Sequence, residues 1–172
     1  MKESIFKNHI KSIPNFPKEG ILFRDILPIF MQPEICKELI DSMSKSEQLK
    51  NADCLIAIDA RGFLLGTPLS LNLKKPLIVA RKPNKLPGKV ITKNYKLEYG
   101  ENSLSLQEDV IDKYKTFAII DDLLATGGTV GCLVELLEEK EKHINCLSVV
   151  IELKELNGRE KFNFPIYSQV TY

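Results

Sequence analysis

Short apolar runs recur along this chain, separated by stretches whose apolar residues fall at helical spacing, and that alternation limits the possible folds more than any other feature. The runs are CLIAID (54–59), PLIVA (76–80), a segment near Leu104 to Leu106, Phe117 to Ile120, and CLSVVIEL (146–153). Runs of this length bounded by turn formers read as buried strands. Between them, Ile35, Leu39, Ile40 and Met43 share one helical face, Leu64 to Leu73 form a Gly-started helix, and Val130, Leu133, Val134 and Leu137 share another face. Four or five strands alternating with helices specify an α/β fold: a mostly parallel central sheet, flanked by helices and joined by right-handed crossovers. In such sheets ligands bind at the carboxyl ends of the strands.

A length of 172 residues suits one domain spanning 1–172. The net charge of +1 offers no global attraction to nucleic acid or an anionic membrane, so neither is expected as a partner. Cys36, Cys54, Cys132 and Cys146 are widely spaced, with no C-x-x-C, which reads as free thiols in a reducing compartment. The opening stretch MKESIFKNHIKSIPNF lacks a signal-peptide core, and no run approaches the roughly 18 apolar residues of a membrane span. A cytoplasmic protein is therefore expected. His9 and His143 match no catalytic or metal spacing and read as surface residues.

Two stretches break the regular pattern. Residues 81–100, RKPNKLPGKVITKNYKLEYG, combine two prolines, two glycines and many lysines, and read as a long, flexible, exposed excursion of the kind that carries function. Residues 118–129, AIIDDLLATGGT, place Asp121 and Asp122 at the end of an apolar run and lead through Ala125, Thr126, Gly127, Gly128 and Thr129 into a helix. Small residues let successive backbone N–H groups converge, the helix N-terminus adds partial positive charge, and threonine hydroxyls donate to phosphate oxygens. The lysine of a G-x-x-x-x-G-K-[ST] loop and the G-x-G-x-x-G fingerprint are both absent. Acids beside a phosphate cradle repel phosphate, so they face something else. Sugar hydroxyls suit them, with a divalent cation offsetting their charge. The implied ligand is a ribose phosphate bearing further phosphates and magnesium. From the residues alone, a solvated Gly-rich turn, a core Phe23, a surface ion pair at Arg61 and an ordinary exposed Glu98 also remain open readings.

The stretch IIDDLLATGGT closely resembles the phosphoribosyl-pyrophosphate signature of the type I phosphoribosyltransferase family. FPKEGILFRDI (16–26), DARGFLLG (59–66), RKPNKLPG (81–88), KLEYG (96–100) and IELKELNGREK (151–161) follow the order and spacing of its adenine-using branch. The resemblance implies a fold with a small N-terminal hood from residues 1–33 and a long flexible loop. It implies a purine-salvage reaction in which adenine and phosphoribosyl pyrophosphate give AMP and pyrophosphate, with Mg2+ held mainly through substrate and Asp121 and Asp122 nearby.

The residue roles carry over by position. Glu98 would be the general acid/base at N7 of adenine, with Tyr99 as a hood over the reacting centre. Asp121 and Asp122 would hold the ribose, and Ala125, Thr126, Gly127, Gly128 and Thr129 the 5'-phosphate. Asp59, Ala60, Arg61, Gly62, Arg81, Lys82 and Lys85 would hold pyrophosphate, with a non-proline cis bond at Asp59–Ala60. Arg81 would reach a neighbouring subunit's site, implying a homodimer. Phe23 would stack on adenine, the backbone of Leu22 and Arg24 would read its edge, and Leu156 would wall it. The segment KVITKNYK (89–96) is more basic than the resemblance leads one to expect, and Lys89, Lys93 and Lys96 read as solvated.

Overall fold

The computed structural model describes the backbone of residues 2–97 and 100–172, and the side chains of 3–94 and 103–172. The chain opens with α1 (Lys2–Asn8) and an antiparallel ribbon of β1 (Lys11–Pro14) and β2 (Leu22–Asp25), paired Ser12 to Arg24 and Ile13 to Phe23. Next come α2 (Leu27–Phe30), α3 (Pro33–Met43) and α4 (Glu47–Asn51), then β3 (Cys54–Ile58), α5 (Gly62–Leu73) and β4 (Leu77–Ala80). A second ribbon, β5 (Val90–Leu97) and β6 (Gly100–Gln107), leads through α6 (Glu108–Ile111) to β7 (Thr116–Leu124) and α7 (Gly128–Glu138). β8 (His143–Glu152), two short 3-10 turns (Lys154–Leu156 and Gly158–Lys161) and β9 (Ile166–Thr171) complete the chain.

Five strands form the central sheet, all parallel, in the order β4-β3-β7-β8-β9. Successive side chains of a strand point to opposite faces, so each inner strand is apolar on both. Ile56, Ile58, Phe117 and Ile119 pack with Val130, Leu133 and Leu137 of α7, while Leu55, Ala118, Ile120 and Val150 pack with Leu39, Met43, Leu65 and Leu69 of α3 and α5. The expected flanking by helices is thus present on both faces.

Two expected strand assignments change. Leu104 to Leu106 lie in the β5–β6 ribbon and not in the sheet, while β9 takes the edge position beyond CLSVVIEL. Leu104 and Leu106 are buried against the α7 side of the core, so their pattern reports burial without reporting which strand they join. β9 buries only Ile166 and Val170 among its six residues, which left little apolar signal. The long excursion is irregular only up to Lys89, and Val90, Ile91 and Thr92 then pair with Gln107, Leu106 and Ser105.

Lys93 is not simply solvated, while Lys89 stays largely exposed with an ion pair at its tip. Lys93 Nζ sits 2.8 Å from Glu135 and 2.5 Å from Glu139 of α7, and Lys89 lies 2.7 Å from Glu108. Glu108 also pairs with Lys140, and these two lysines hold its carboxyl down at about 2. A carboxyl depressed by folding stabilises the fold fully above its ordinary value near 4.5 and stops doing so as pH falls through about 2. The melting-temperature gap between wild type and Glu108→Gln is therefore expected to be open near about pH 6 and to narrow toward about pH 3. A gap independent of pH would show that the ion pairs at the ribbon base add no stability.

The chain leaves β3 toward β4 on one side and returns to β7 on the other. The carboxyl ends of β3 and β7 therefore flank the point where the winding reverses, where such sheets open a crevice. β3 stops pairing with β7 at Ile120, whereas β7 stays paired with β8 to Leu124. Asp121 and Asp122 lie on the stretch of β7 that runs past β3.

Candidate active site

The loop after β3 brings α5 hard against β7. A Cβ on Gly62 would fall 2.9 Å from the Ile120 carbonyl oxygen and 3.3 Å from Asp121 Oδ1, so any larger residue there would push the loop away from the acids. The Asp59–Ala60 bond before it is cis, as the resemblance implied. Arg61, at the start of α5, then points back across the crevice. Its Nη2 lies 2.9 Å from Asp122 Oδ2 as an ion pair outside hydrogen-bond alignment, and its Cζ lies 4.8 Å from the centre of the Phe23 ring. Among the described residues Arg61 Nη1 is buried without a hydrogen-bond partner, a donor awaiting an acceptor.

Asp121 Oδ1 accepts the Asp122 N–H at 2.8 Å. Burial pushes the Asp121 carboxyl well above the ordinary range, and the neighbouring Asp122 charge adds to this. Burial also raises Asp122, opposed chiefly by Arg61. Two acids with raised proton affinity in a crevice are groups that a ligand's hydroxyls, or a cation held by the ligand, would favour in the charged form.

Beyond the acids, Ala125 to Gly127 turn into α7, with Gly127 at φ +80°. These residues, Gly128, Thr129 and Val130 line, with Arg61, Asp121 and Asp122, a cavity of about 250 Å³ at the N-terminus of the 11-residue helix. An adjoining cavity of about 270 Å³ is lined by Asp59, Ala60, Arg61, Lys82, Ser103, Asp121, Asp122 and Thr129 among others. Arg61, both acids and Thr129 line both cavities. The crevice is thus one site with a cradle lobe and a lobe under the β3 loop.

Arg81 Nε donates to Asp59 Oδ2 at 3.1 Å, and its Nη1 donates to the Lys85 carbonyl oxygen at 3.2 Å. Lys85 thus meets Arg81 through its backbone, and it is Lys82 that lines the second lobe. Phe23 meets Phe16 edge-on at 5.0 Å and turns its ring to Arg61. Leu22, Arg24 and Leu156 line a separate cavity of about 490 Å³ with Glu155 and Tyr172. Leu22 and Arg24 flank Phe23 on a strand whose side chains alternate, so their side chains leave the strand on the opposite face from the Phe23 ring. Glu98 and Tyr99 lie outside the described residues.

Sequence reasoning passed over Gly158. A Cβ there would lie 2.1 Å from the Ala125 carbonyl oxygen and 3.1 Å from the Gly127 nitrogen, so the turn after β8 rests directly on the cradle. The only signal was a glycine within NGREK, a motif without an assigned role.

The sequence pattern of the phosphoribosyl transferase domain matches residues 29–163. The chain is 57% identical over 166 residues to the adenine phosphoribosyltransferase of Prochlorococcus marinus strain MIT 9215, covering 96% of each chain. Its structure superposes on adenine phosphoribosyltransferase from Thermoanaerobacter pseudethanolicus with a TM-score of 0.92 at 35% identity, covering 98% of this chain and 99% of that one. It also superposes on the Saccharomyces cerevisiae enzyme in complex with an imino-altritol bisphosphate and adenine, with a TM-score of 0.86 at 34% identity and 98% coverage of both chains. With the acid pair, the guanidinium and the small-residue cradle gathered at the reversal of the sheet, the chain belongs to the phosphoribosyltransferase family and, within it, to the adenine phosphoribosyltransferases.

Proposed function

We propose that this protein transfers the 5-phosphoribosyl group of phosphoribosyl pyrophosphate to N9 of adenine, giving AMP and pyrophosphate in cytoplasmic purine salvage. The single observation that carries this reading is the two-lobed crevice, with one anion cradle on each side of a buried acid pair. A ribose with phosphate at one end and diphosphate at the other has that shape. The yeast relative's complex with adenine and a bisphosphate supports it. The four free cysteines and the absence, among the described residues, of a helix long and apolar enough to cross a membrane agree with the proposed compartment.

The bond from the anomeric carbon to the diphosphate oxygen breaks, its electron pair leaving with diphosphate, while N9 supplies the pair for the new bond. The passing cation-like sugar needs holding and shielding more than covalent help. Asp121 and Asp122 accept the ribose hydroxyls, Ala125 to Thr129 hold the 5'-phosphate, and Arg61 and Lys82 meet the diphosphate. Glu98 takes the proton-handling role at N7, under Tyr99. Among the described residues no three His, Cys, Asp or Glu gather as a metal cage, so Mg2+ would take its oxygens mainly from substrate, beside Asp121 and Asp122. When bound it would neutralise charge on the diphosphate. AMP formation from adenine and phosphoribosyl pyrophosphate, with and without magnesium, tests the reading; no AMP under either condition would overturn it.

The working unit is a homodimer of single-domain chains. α5 is apolar on most sides, yet leaves Leu64 43% and Leu71 76% exposed, as a helix awaiting a second copy does. The Arg81 guanidinium stands 5.6 Å from the ring of Phe63 in that helix. If Arg81 serves the partner's site, mixing inactive Arg81→Ala with inactive Asp122→Asn protomers is expected to restore activity through hybrid dimers. No recovery after confirmed subunit exchange would assign Arg81 to its own chain's site.

A further inference from the structure

Apart from Leu156, the turn between β8 and β9 has no role in the chemistry above, yet it touches the 5'-phosphate cradle and the residue before it at three points. The Leu153 N–H donates to the Leu124 carbonyl oxygen at 2.9 Å. A Cβ on Gly127 would meet Phe162 at 3.1 Å and the Gly158 carbonyl oxygen at 3.2 Å, and Gly158 itself leaves no space for a side chain over Ala125. The cradle is built of small residues, with Gly127 in the left-handed region, and has few side chains of its own to fix its backbone. Its shape is set from outside.

What fixes the outside is one ion pair. Glu152, at the end of β8, is only 4% exposed. It accepts Arg159 Nε at 2.7 Å and Nη2 at 2.5 Å, and Ser168 Oγ at 2.8 Å, while Arg159 Nη1 donates to the Ile166 carbonyl oxygen at 2.9 Å. The guanidinium thus ties β8, the turn and β9 together, with a planar fork matched to a carboxylate in a way lysine cannot reproduce.

We propose that Arg159, through its two-pronged pair with Glu152, is a positioning residue for the 5'-phosphate cradle. It holds Gly158 against Ala125 and Gly127 so that the loop's N–H groups converge on the phosphate. This rests on the transferase reading above. Among the described residues the lining of the diphosphate lobe, built on the β3 loop, includes none from this turn, so the two lobes are expected to respond differently.

The test compares wild type, Arg159→Lys, Arg159→Ala and Gly158→Ala by calorimetry with ribose 5-phosphate and, separately, pyrophosphate, alongside AMP formation. Arg159→Lys is expected to lose about tenfold to a hundredfold in ribose 5-phosphate affinity and to raise KM for phosphoribosyl pyrophosphate by a similar factor, with pyrophosphate affinity unchanged. Gly158→Ala should do the same with the ion pair intact. Should Arg159→Ala fail to fold, the lysine and Gly158 variants carry the test. Ribose 5-phosphate binding as tight as wild type, or equal loss for both ligands, overturns the positioning role. A wild type that forms no AMP overturns the transferase reading instead.

Discussion

Adenine is expected to be preferred over hypoxanthine by roughly 10⁴ or more in kcat/KM. Among the described residues β2 has β1 as its sheet neighbour and no other, so on its other side alternate residues present N–H and C=O groups that no described strand takes up. Those groups, from Leu22 to Arg24, lie beside the ring of Phe23 and are the readers proposed for the base. The 6-amino group of adenine donates to a carbonyl oxygen, whereas the 6-oxo group of hypoxanthine turns an acceptor toward an acceptor. Each unsatisfied group in a site closed to water costs about 1–3 kcal/mol, and hydrogen-bond readout reaches the larger ratio because both sides go unpaired. Arg24→Ala should keep the preference, since backbone atoms read the base. It should raise KM for adenine, because the Arg24 guanidinium stacks 3.7 Å from the Tyr172 ring and donates to Ser12 Oγ, holding β2 in place. A preference for adenine below about tenfold, ~1.4 kcal/mol, would refute backbone readout of the base.

Arg61→Ala is expected to lower kcat by about 10²–10³ with the fold intact. The guanidinium sits between the two lobes, and Nη1 is buried with no hydrogen-bond partner among the described residues, so diphosphate oxygens would complete it. Charge develops on those oxygens as the bond from the anomeric carbon to diphosphate breaks, and a donor fixed beforehand stabilises it without reorganisation. Removal also strips Asp122 of its 2.9 Å ion-pair partner, pushing an already raised carboxyl further toward its protonated form. Arg61→Lys should recover only part of the loss, since an ammonium keeps the charge without the planar fork. Steady-state kinetics with thermal melts decide it: kcat within about threefold of wild type would reduce Arg61 to a counter-ion for Asp122.

Much of this site was written in short windows. The acid pair and the small residues before α7 lie within a few positions of one another, the DARG turn is a short stretch of its own, and turn chemistry and strand-end geometry act over that range, so the cradle and its place at the sheet's carboxyl edge were legible from the residues. The partners were not. Arg61 meets Asp122 because β3 and β7 are neighbours in the sheet, an order that apolar runs do not encode. Leu104 and Leu106 show a buried face in either a sheet or a ribbon, and Lys93 looked solvated until α7 brought glutamates to it. Gly158 needed the tertiary structure most, since a missing side chain carries no sign of what lies against it. Periodicity reports which face of an element is buried, while long-range packing alone decides what covers it.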